Sequence, residues 1–299
     1  MFIESIELSD YRNYSHLHID FHKGTNVLYG DNAQGKTNIL EAVYVCSTTK
    51  SHRGSKDKEI IRFGADESHI KMMVRRDGIP YRIDMHLKKN KAKGVAVNGV
   101  PIKKASELFG IVNVIFFSPE DLNIIKNGPA ERRRFVDLEL CQLNKLYVYN
   151  LVQYNKTVIQ RNSLLKQIGT EKKGEDLLFV FDEELARCGG RIIDYRLKYL
   201  DDLSNAAPKI YSEISNGREI MNISYINSLK ETGSNNVEWS EILYKYLSEN
   251  HEKDIIRQAT SFGPHKDDLE IFLDEMNVRN YGSQGQQRSC ALSLKIGEA

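Results

Sequence analysis

Residues 30–37 read Gly-Asp-Asn-Ala-Gln-Gly-Lys-Thr, which fits the phosphate-binding loop pattern GxxxxGK[ST]. The apolar run at Asn26–Tyr29 predicts a short strand that leads into this loop. Behind the loop, apolar residues recur with helical spacing at Ile39, Leu40, Val43 and Tyr44. Glycines between a strand and a helix let backbone N–H groups turn towards a phosphate, and the helix start adds its positive dipole end. The stretch therefore predicts a nucleotide site.

The loop residues have separate predicted roles at this site. Lys36 is expected to reach the β- and γ-phosphates of ATP, and the Thr37 hydroxyl is expected to bind Mg²⁺. Hydrolysis also needs a carboxylate, usually at the end of an apolar strand. Glu120 and Asp121 follow such a run, but Ser-Pro separates them from it, so they are poor candidates. The predicted ATP-binding residues in this stretch are Gly30, Asp31, Asn32, Ala33, Gln34, Gly35, Lys36, Thr37 and Asn38.

The residues around this motif predict a mixture of strands and helices. Leu17, Ile19 and Phe21 alternate with polar residues, which indicates a strand. Asp77-Gly78 and Asn98-Gly99 are typical of tight hairpins, and the apolar run 111–117 predicts a buried strand. Long helices are expected from 131 to 167 and from 175 to about 215. A strand near 221–225, a helix near 239–249 and a strand at 269–273 are expected to follow.

A second candidate phosphate-binding element lies near the end of the chain. Residues 283–288 read Ser-Gln-Gly-Gln-Gln-Arg and open a predicted helix, in a form similar to the ABC-type signature motif. A serine hydroxyl, a glycine N–H and a helix start can together bind phosphate. Two such elements for one nucleotide suggest a sandwich in which each surface comes from a different subunit. The predicted site residues here are Ser283, Gly285 and Gln286.

Composition limits the class of protein. The chain has 299 residues and a net charge of +1, and no apolar run approaches the roughly 20 residues that span a membrane. Its four cysteines are far apart, which argues against a zinc site or disulfides and suits the cytoplasm. Residues 51–104 are basic, with 14 Lys and Arg against 6 Asp and Glu. They form either a DNA-phosphate surface or a solvated face; the candidates are Arg53, Lys56, Lys88, Lys89, Lys91 and Lys93.

Six stretches, in order along nearly the whole chain, resemble the RecF family of bacterial recombination mediators, within the SMC/Rad50-like ABC ATPases. The sequence places them as follows: LSDYRNY at 8–14, YGDNAQGKTNILEAVYV at 29–45, SHRGSKDKEIIRFG at 51–64, SPEDLNIIKNGPAERRRFVD at 118–137, SFGPHKDD at 261–268 and SQGQQRS at 283–289. The resemblance also implies that Arg12 and Asn13 lie beside the nucleotide and that Ser283 and Gly285 cap the γ-phosphate bound to a partner subunit.

The resemblance implies an α/β fold: a P-loop NTPase head of the ABC type. Lobe I, a mixed sheet with helices, would comprise residues 1–117 and 256–299, and an inserted, mostly helical lobe II would comprise 118–255. It further implies an ATP-dependent homodimer on single- and double-stranded DNA, slow DNA-stimulated ATP hydrolysis and recombinase loading with RecR and RecO. Replication, repair and the SOS response are the expected processes, in the cytoplasm with the nucleoid and without a membrane.

The sequence departs from the family pattern after the signature helix. The family continues to a strand that ends in the Walker B aspartate, whereas this chain ends at Lys-Ile-Gly-Glu-Ala. We expect the sequence to be a fragment, with natural truncation as the alternative; in both cases the catalytic acids are not among its residues. A nucleotide-binding adaptor without catalysis is the alternative function.

Four further groups carry weaker expectations. The arginines at 132–134 are expected to make structural ion pairs rather than DNA contacts, and His52 is a candidate nucleotide or DNA contact together with Arg53. His265 is expected to titrate near neutral pH and to have a positioning role rather than a catalytic one. The adjacent acids Asp267 and Asp268 are expected to face solvent.

Overall fold

The computed structural model describes residues 1–104, 107–229 and 238–298. It divides into two compact units, Met1–Phe116 and Phe117–Ala299, which are described separately. The expected assignment of 1–117, 118–255 and 256–299 to two lobes remains a prediction. In the described part of the chain, no helix combines the length and apolar character required to cross a bilayer.

The first unit is built on an antiparallel sheet with the strand order β2-β1-β3-β4-β5-β6. Its inner face carries alternating apolar residues, among them Ile6, Ile70 and Met85, which pack with Ala42 and Cys46 of the first helix. Burying one face of an antiparallel sheet against a helix explains the period-two pattern of these strands. The elements are β1 Phe2–Tyr11, β2 Tyr14–Asp20, α1 Lys36–Thr48, α2 Asp57–Ile60, β3 Glu67–Arg76, β4 Ile79–Lys88, β5 Lys91–Val97 and β6 Val100–Pro101.

Both predicted hairpins are confirmed. Arg76 pairs with Ile79 across Asp77-Gly78, and Val97 pairs with Val100 across Asn98-Gly99. The two central residues of each turn have φ between 52° and 82°. Left-handed backbone at both positions is the type I′ geometry, which matches the twist of the flanking strands.

Two predicted strands are wrong. Neither Asn26–Tyr29 nor the run 111–117 is a strand in the structure, and residues 111 and 112 lie in a turn. Val27 is 74% exposed and Tyr29 91%, and Ile115 and Phe117 are about half exposed. A short apolar run becomes a strand only where a neighbour accepts its ladder of hydrogen bonds, and composition alone does not supply that neighbour.

The second unit is mainly helical. The long predicted helices are present, but the first is broken at Asn144, whose Oδ1 accepts hydrogen bonds from the N–H groups of Leu146 and Tyr147 and so starts a new helix. The strands expected near 221–225 and 269–273 pair with each other. The elements are α3 Leu122–Lys126, α4 Pro129–Leu143, α5 Lys145–Glu171, α6 Leu178–Ser215, β7 Met221–Ile226, α7 Trp239–Ser248, α8 His251–Arg257, β8 Asp268–Leu273, β9 Met276–Asn277, α9 Val278–Tyr281 and α10 Gln284–Ile296.

Buried ion pairs connect the helices of this unit. Arg161 is fully buried and donates to Asp182 at 2.8 Å and to Asp254 at 2.6 Å, which joins α5, α6 and α8. Arg132 of α4 donates to both carboxylate oxygens of Asp268 in β8, at 2.7 and 2.9 Å. Removing one partner of such a pair leaves a buried charge uncompensated, which costs about 3–5 kcal/mol. The structural role expected for the arginines at 132–134 is therefore confirmed at Arg132.

The expectation that the adjacent acids face solvent is wrong. Asp267 is 1% exposed and accepts hydrogen bonds from the backbone of Ser228, at 2.8 Å, and from the hydroxyl of Tyr225. Burial raises the pKa of Asp267, although these hydrogen bonds and the nearby Arg196 oppose that shift. Asp268 is held by Arg132. The partners of both acids lie far away in sequence, so the dipeptide alone does not reveal them.

Candidate nucleotide-binding loop and signature helix

The phosphate-loop sequence forms a tight turn at the start of α1. Gly30 has φ of 138° and Gly35 has φ of 96°, and Ala33 adopts left-handed backbone with φ of 65°. Positive φ is freely available only to glycine, so the backbone explains both glycines of the motif. Residues 31–34 are exposed.

A side chain at Gly35 would also displace two neighbouring side chains. A Cβ placed on Gly35 would lie 2.6 Å from the Oδ1 of Asn13 and 2.6 Å from the hydroxyl of Tyr14. The side chains of these two residues instead approach the loop and donate hydrogen bonds to the carbonyl of Gln34, at 3.2 and 3.1 Å. The tip of the β1–β2 hairpin therefore lies directly against the phosphate-binding loop.

Lys36 covers the loop. Its Nζ donates hydrogen bonds to the carbonyl of Gly30 at 2.7 Å and to that of Asp31 at 2.5 Å. The ammonium group thus lies within the loop and close to the first turn of α1, where an anion would gain from free N–H groups. Thr37 is exposed in the same turn, and Asn38 donates from Nδ2 to the Oδ1 of Asn13 at 2.8 Å.

Arg12 contacts α1 rather than open solvent. Its Nε and Nη2 donate to the two carboxylate oxygens of Glu41 at 2.8 and 2.5 Å. Nη1 donates to the carbonyl of Glu59, and Nη2 also donates to the hydroxyl of Ser55. The hydrogen bond to Glu41 raises the pKa of Arg12. Arg12 therefore lies at the tip of the hairpin whose next two residues contact the loop, and its guanidinium is held by α1, α2 and Ser55. Its expected place beside the nucleotide stays a prediction.

Glu41 is fully buried in α1 and remains ionised. Burial by itself raises the pKa of this carboxyl, but hydrogen bonds from Arg12 and Ser51 and the positive charge of Arg12 outweigh burial, so the pKa is lowered overall. Sequence reasoning missed Glu41, Ser51 and Tyr14. An acid inside the apolar run Ile-Leu-Glu-Ala-Val-Tyr-Val was the available signal, because a charge at a core position requires a partner.

The second candidate element starts α10. Ser283 caps the helix: its Oγ accepts from the N–H of Gln286 at 3.3 Å, and the Oε1 of Gln286 accepts from the N–H of Ser283 at 2.7 Å. This is a capping box, and the amide of Gln286 donates in turn to Glu219. Gly285 is exposed, and a Cβ on it would meet only the Oγ of Ser283, at 3.9 Å.

The basic candidates differ in how strongly they are paired. Lys88 lies 3.1 Å from Glu67, Lys89 lies 3.2 Å from Asp66, and Lys93 lies 2.9 Å from Asp57. Lys93 also donates to the carbonyl of Thr49, so it joins strand β5 to the residues after α1. Arg53 is exposed and reaches the Oδ1 of Asn38 at 3.4 Å, while Lys56 and Lys91 are exposed.

Two histidines pack inside the units. The His52 ring lies 4.3 Å from the Phe116 ring, centroid to centroid. His265 accepts from the Tyr154 hydroxyl at Nδ1, over 2.7 Å, and donates from Nε2 to the carbonyl of Thr260, over 3.1 Å. Burial lowers the pKa of His265 to about 4, so the titration expected near neutral pH does not occur in the folded unit.

The loop fits a nucleotide triphosphate with its metal ion. The exposed turn, the Lys36 ammonium and the first N–H groups of α1 are suited to phosphate oxygens, and the exposed Thr37 hydroxyl is an oxygen donor of the type Mg²⁺ accepts. Among the residues that the structure describes, no group of three or more His, Cys, Asp or Glu side chains is arranged to hold a metal ion.

Comparison with known proteins agrees with this geometry. A family model described as an AAA domain matches residues 5–288. The DNA replication and repair protein RecF of Lachnoclostridium phytofermentans is 53% identical over 298 residues, which cover 100% of this chain and 80% of that protein. The RecF of Agathobacter rectalis is 54% identical with the same coverage. The chain belongs to the RecF family.

Solved structures agree with this RecF assignment. A structure of the recombination mediator protein RecF with ATP, in the RecFOR pathway, has a TM-score of 0.93 and 41% identity, over 99% of this chain and 80% of that one. An Smc head bound to the C-winged helix domain of ScpA has a TM-score of 0.54 at 16% identity, over 100% of this chain and 76% of that one, and shares the fold alone. The predicted ABC-type P-loop head fold is confirmed.

Proposed function

We propose that this RecF-family chain is an ATP-dependent DNA-binding recombination mediator. ATP with Mg²⁺ binds at the loop 30–38 and drives formation of a homodimer on DNA at gaps or junctions. The dimer then supports recombinase loading together with RecR and RecO in replication, repair and the SOS response. Slow, DNA-stimulated ATP hydrolysis belongs to the same proposal.

One observation supports the proposed binding of ATP at this loop. The loop has a glycine at position 35 whose positive φ favours glycine and which the side chains of the adjacent hairpin approach closely, and Lys36 lies folded over the same loop. This arrangement positions a cation, a helix start and several backbone N–H groups around a single space. The solved relative whose description names ATP supports the same assignment.

The dimer part rests on the start of α10. Gly285 has room for a Cβ beside the described residues and is not in the left-handed region, so neither these neighbours nor the backbone geometry requires glycine there. Gly285 is exposed, and so is Ser283 two residues before it. We assign both to the γ-phosphate of the ATP bound to a partner subunit, where close approach of the phosphate would exclude a side chain.

The DNA part rests on the basic residues of the first unit. A wide surface depression is lined by five cations and the acid Glu59, and the aromatic ring of Phe63 in its lining is fully exposed. Three of the cations are paired with acids outside the lining, whereas Arg53 and Lys58 are exposed and offer their charge to solvent. Such a surface attracts DNA phosphates without reading bases, so binding should weaken as salt rises. The five cations are Arg12, Arg53, Lys58, Arg62 and Lys89.

The experiment is Lys36→Met, with Lys23→Met as the matched control. Both substitutions remove one lysine charge from the first unit, but Lys23 is exposed outside the loop. We expect Lys36→Met to abolish ATP-induced dimers in light scattering while the melting temperature without nucleotide is retained. Lys23→Met should dimerise as the unmodified protein does. Dimers that persist in Lys36→Met would overturn the proposed ATP switch.

A further inference from the structure

Glu41 connects two elements that flank the nucleotide loop. It lies in α1, five residues after Lys36, and none of its surface is exposed. Its two carboxylate oxygens accept two hydrogen bonds from Arg12, and Oε1 also accepts one from the Ser51 hydroxyl at 2.5 Å. A buried ionised carboxylate with this many donors is held in a single geometry.

The first connection runs through the hairpin tip. Arg12 has left-handed backbone with φ of 52° at that tip, and the two residues after it both donate to the carbonyl of Gln34. In a trans peptide the C=O and the following N–H point in opposite directions. Fixing the Gln34 carbonyl towards the hairpin therefore directs the N–H of Gly35 away from it. By fixing Arg12, Glu41 thus helps to fix the backbone of the nucleotide loop.

The second connection runs through residues 51–55. The Ser51 hydroxyl that donates to Glu41 accepts the backbone N–H of Arg53 at 3.1 Å. The Arg53 side chain then reaches Asn38, in the first turn of α1. Arg12 also donates to Ser55 at 2.9 Å, which closes the connection between the two elements.

We propose that Glu41 is a positioning residue for nucleotide binding, which holds the hairpin tip and the 51–55 segment against the loop. It does not itself contact the nucleotide. This inference rests on the proposed function, because it assigns Glu41 to the same ATP site. A carboxylate is needed at this position because all the groups that face it are donors; an amide would turn its own NH₂ donor towards one of them.

The test is Glu41→Gln, with Glu4→Gln as the control. Glu4 accepts from the Nε of Arg75 at 2.6 Å, so the control also removes an arginine–glutamate pair of the first unit, but away from the loop. ATP affinity is measured by fluorescence titration well below both melting temperatures. We expect Glu41→Gln to weaken ATP binding about tenfold and Ser51→Ala, which removes one of the three hydrogen bonds, about threefold. Glu4→Gln should leave affinity unchanged.

Hydrogen exchange separates positioning from a merely structural role. The amide of Arg53 bonds to Ser51, and the amide of Arg12 bonds to the carbonyl of Ile60 at 2.7 Å. In Glu41→Gln these amides should exchange faster while those in the β3–β4 ladder do not change. Glu41→Asp, which keeps the charge on a shorter side chain, should recover part of the affinity.

Three results would overturn the inference. The first is unchanged ATP affinity in Glu41→Gln. The second is faster hydrogen exchange throughout the unit, with ATP affinity reduced only in proportion to the loss of folded protein. The third is Glu41→Asp with affinity no better than Glu41→Gln. If the unmodified protein itself failed to bind ATP, the proposed function would fail first, and that outcome is distinct from all three.

Discussion

The two predicted phosphate-binding elements differ in how much of their geometry their own chain explains. At Gly35, the φ of 96° favours glycine for folding alone, and a Cβ there would also displace the side chains of Asn13 and Tyr14, each 2.6 Å away. At Gly285, the backbone is ordinary and the nearest atom lies 3.9 Å away. The first element is therefore shaped by its own unit. The second has a glycine that its described neighbours do not require, and we attribute that glycine to a molecule that approaches from outside.

The largest expected effect comes from Gly35→Ala. The new Cβ would collide with Asn13 and Tyr14, and alanine would be forced into positive φ, so we expect about 2–4 kcal/mol of lost stability and no measurable ATP binding. Thermal melting and nucleotide titration measure both. A stable Gly35→Ala protein that binds ATP normally would mean that the loop differs from the described one.

Gly285→Ala should behave in the opposite way. Alanine fits there, and it favours a helix by up to about 1 kcal/mol over glycine, so stability should be equal or slightly higher. ATP should bind to the monomer, but ATP-dependent dimers should be lost.

Gly282→Ala is the control for this prediction. A Cβ on Gly282 would lie 2.6 Å from the carbonyl of Val278, so this substitution should destabilise the protein. If ATP-dependent dimers form normally in Gly285→Ala, the proposed contact of the signature helix with the nucleotide of a partner subunit is wrong.

Ser283→Arg should also bind ATP and fail to dimerise, but at a cost in stability. It removes a capping box, and such caps are worth about 1 kcal/mol. Light scattering with ATP and a melting curve without it separate the two effects. Unchanged dimerisation would contradict the placement of Ser283 at the γ-phosphate of a partner subunit.

Lowering the pH should destabilise the second unit through protonation of His265. Burial lowers the pKa of His265 to about 4 from an ordinary 6.5. Between pH 4 and pH 6.5 this histidine is therefore protonated in the unfolded chain but neutral in the folded chain. Stability should therefore fall as pH drops from about 6.5 to 4, by up to about 3 kcal/mol. A His265→Gln protein should show a flatter pH dependence in denaturant titrations. An equally steep curve in that variant would place the titrating group elsewhere.

The smallest expected effects distinguish Lys91 from Lys93. Lys91 is exposed, whereas Lys93 is paired with Asp57 and bonded to Thr49. Lys91→Ala should weaken DNA binding about two- to threefold and reduce its salt dependence, without a change in melting temperature. Lys93→Ala should lower the melting temperature by a few degrees. The opposite pattern would show that the exposed lysine does not contact DNA.

Local chemistry explains which elements the sequence predicted correctly. Asp77-Gly78 and Asn98-Gly99 encode their turns within two residues, and the glycine pattern of 30–37 encodes its loop in the same way. The strands expected at 26–29 and 111–117 were wrong because strand formation depends on a neighbour that the run itself does not specify.

Long-range partners explain what the sequence did not reveal at the site. Glu41 has Arg12 as its partner across 29 residues, and Asp268 has Arg132 across 136. An acid in an apolar run signals that a partner exists but does not identify it. The buried role of Asp267 was missed for the same reason, since Tyr225 and Ser228 become its neighbours only after folding.

The most direct test mixes two defective proteins. Lys36→Met lacks the loop lysine and Gly285→Ala lacks the signature glycine, so each should remain monomeric with ATP in light scattering. In an equimolar mixture, the intact loop of one variant can meet the intact signature of the other, and we expect ATP-dependent dimers to return. Dimers in Gly285→Ala alone, or a mixture that stays monomeric although Gly285→Ala binds ATP, would contradict a nucleotide shared between two subunits.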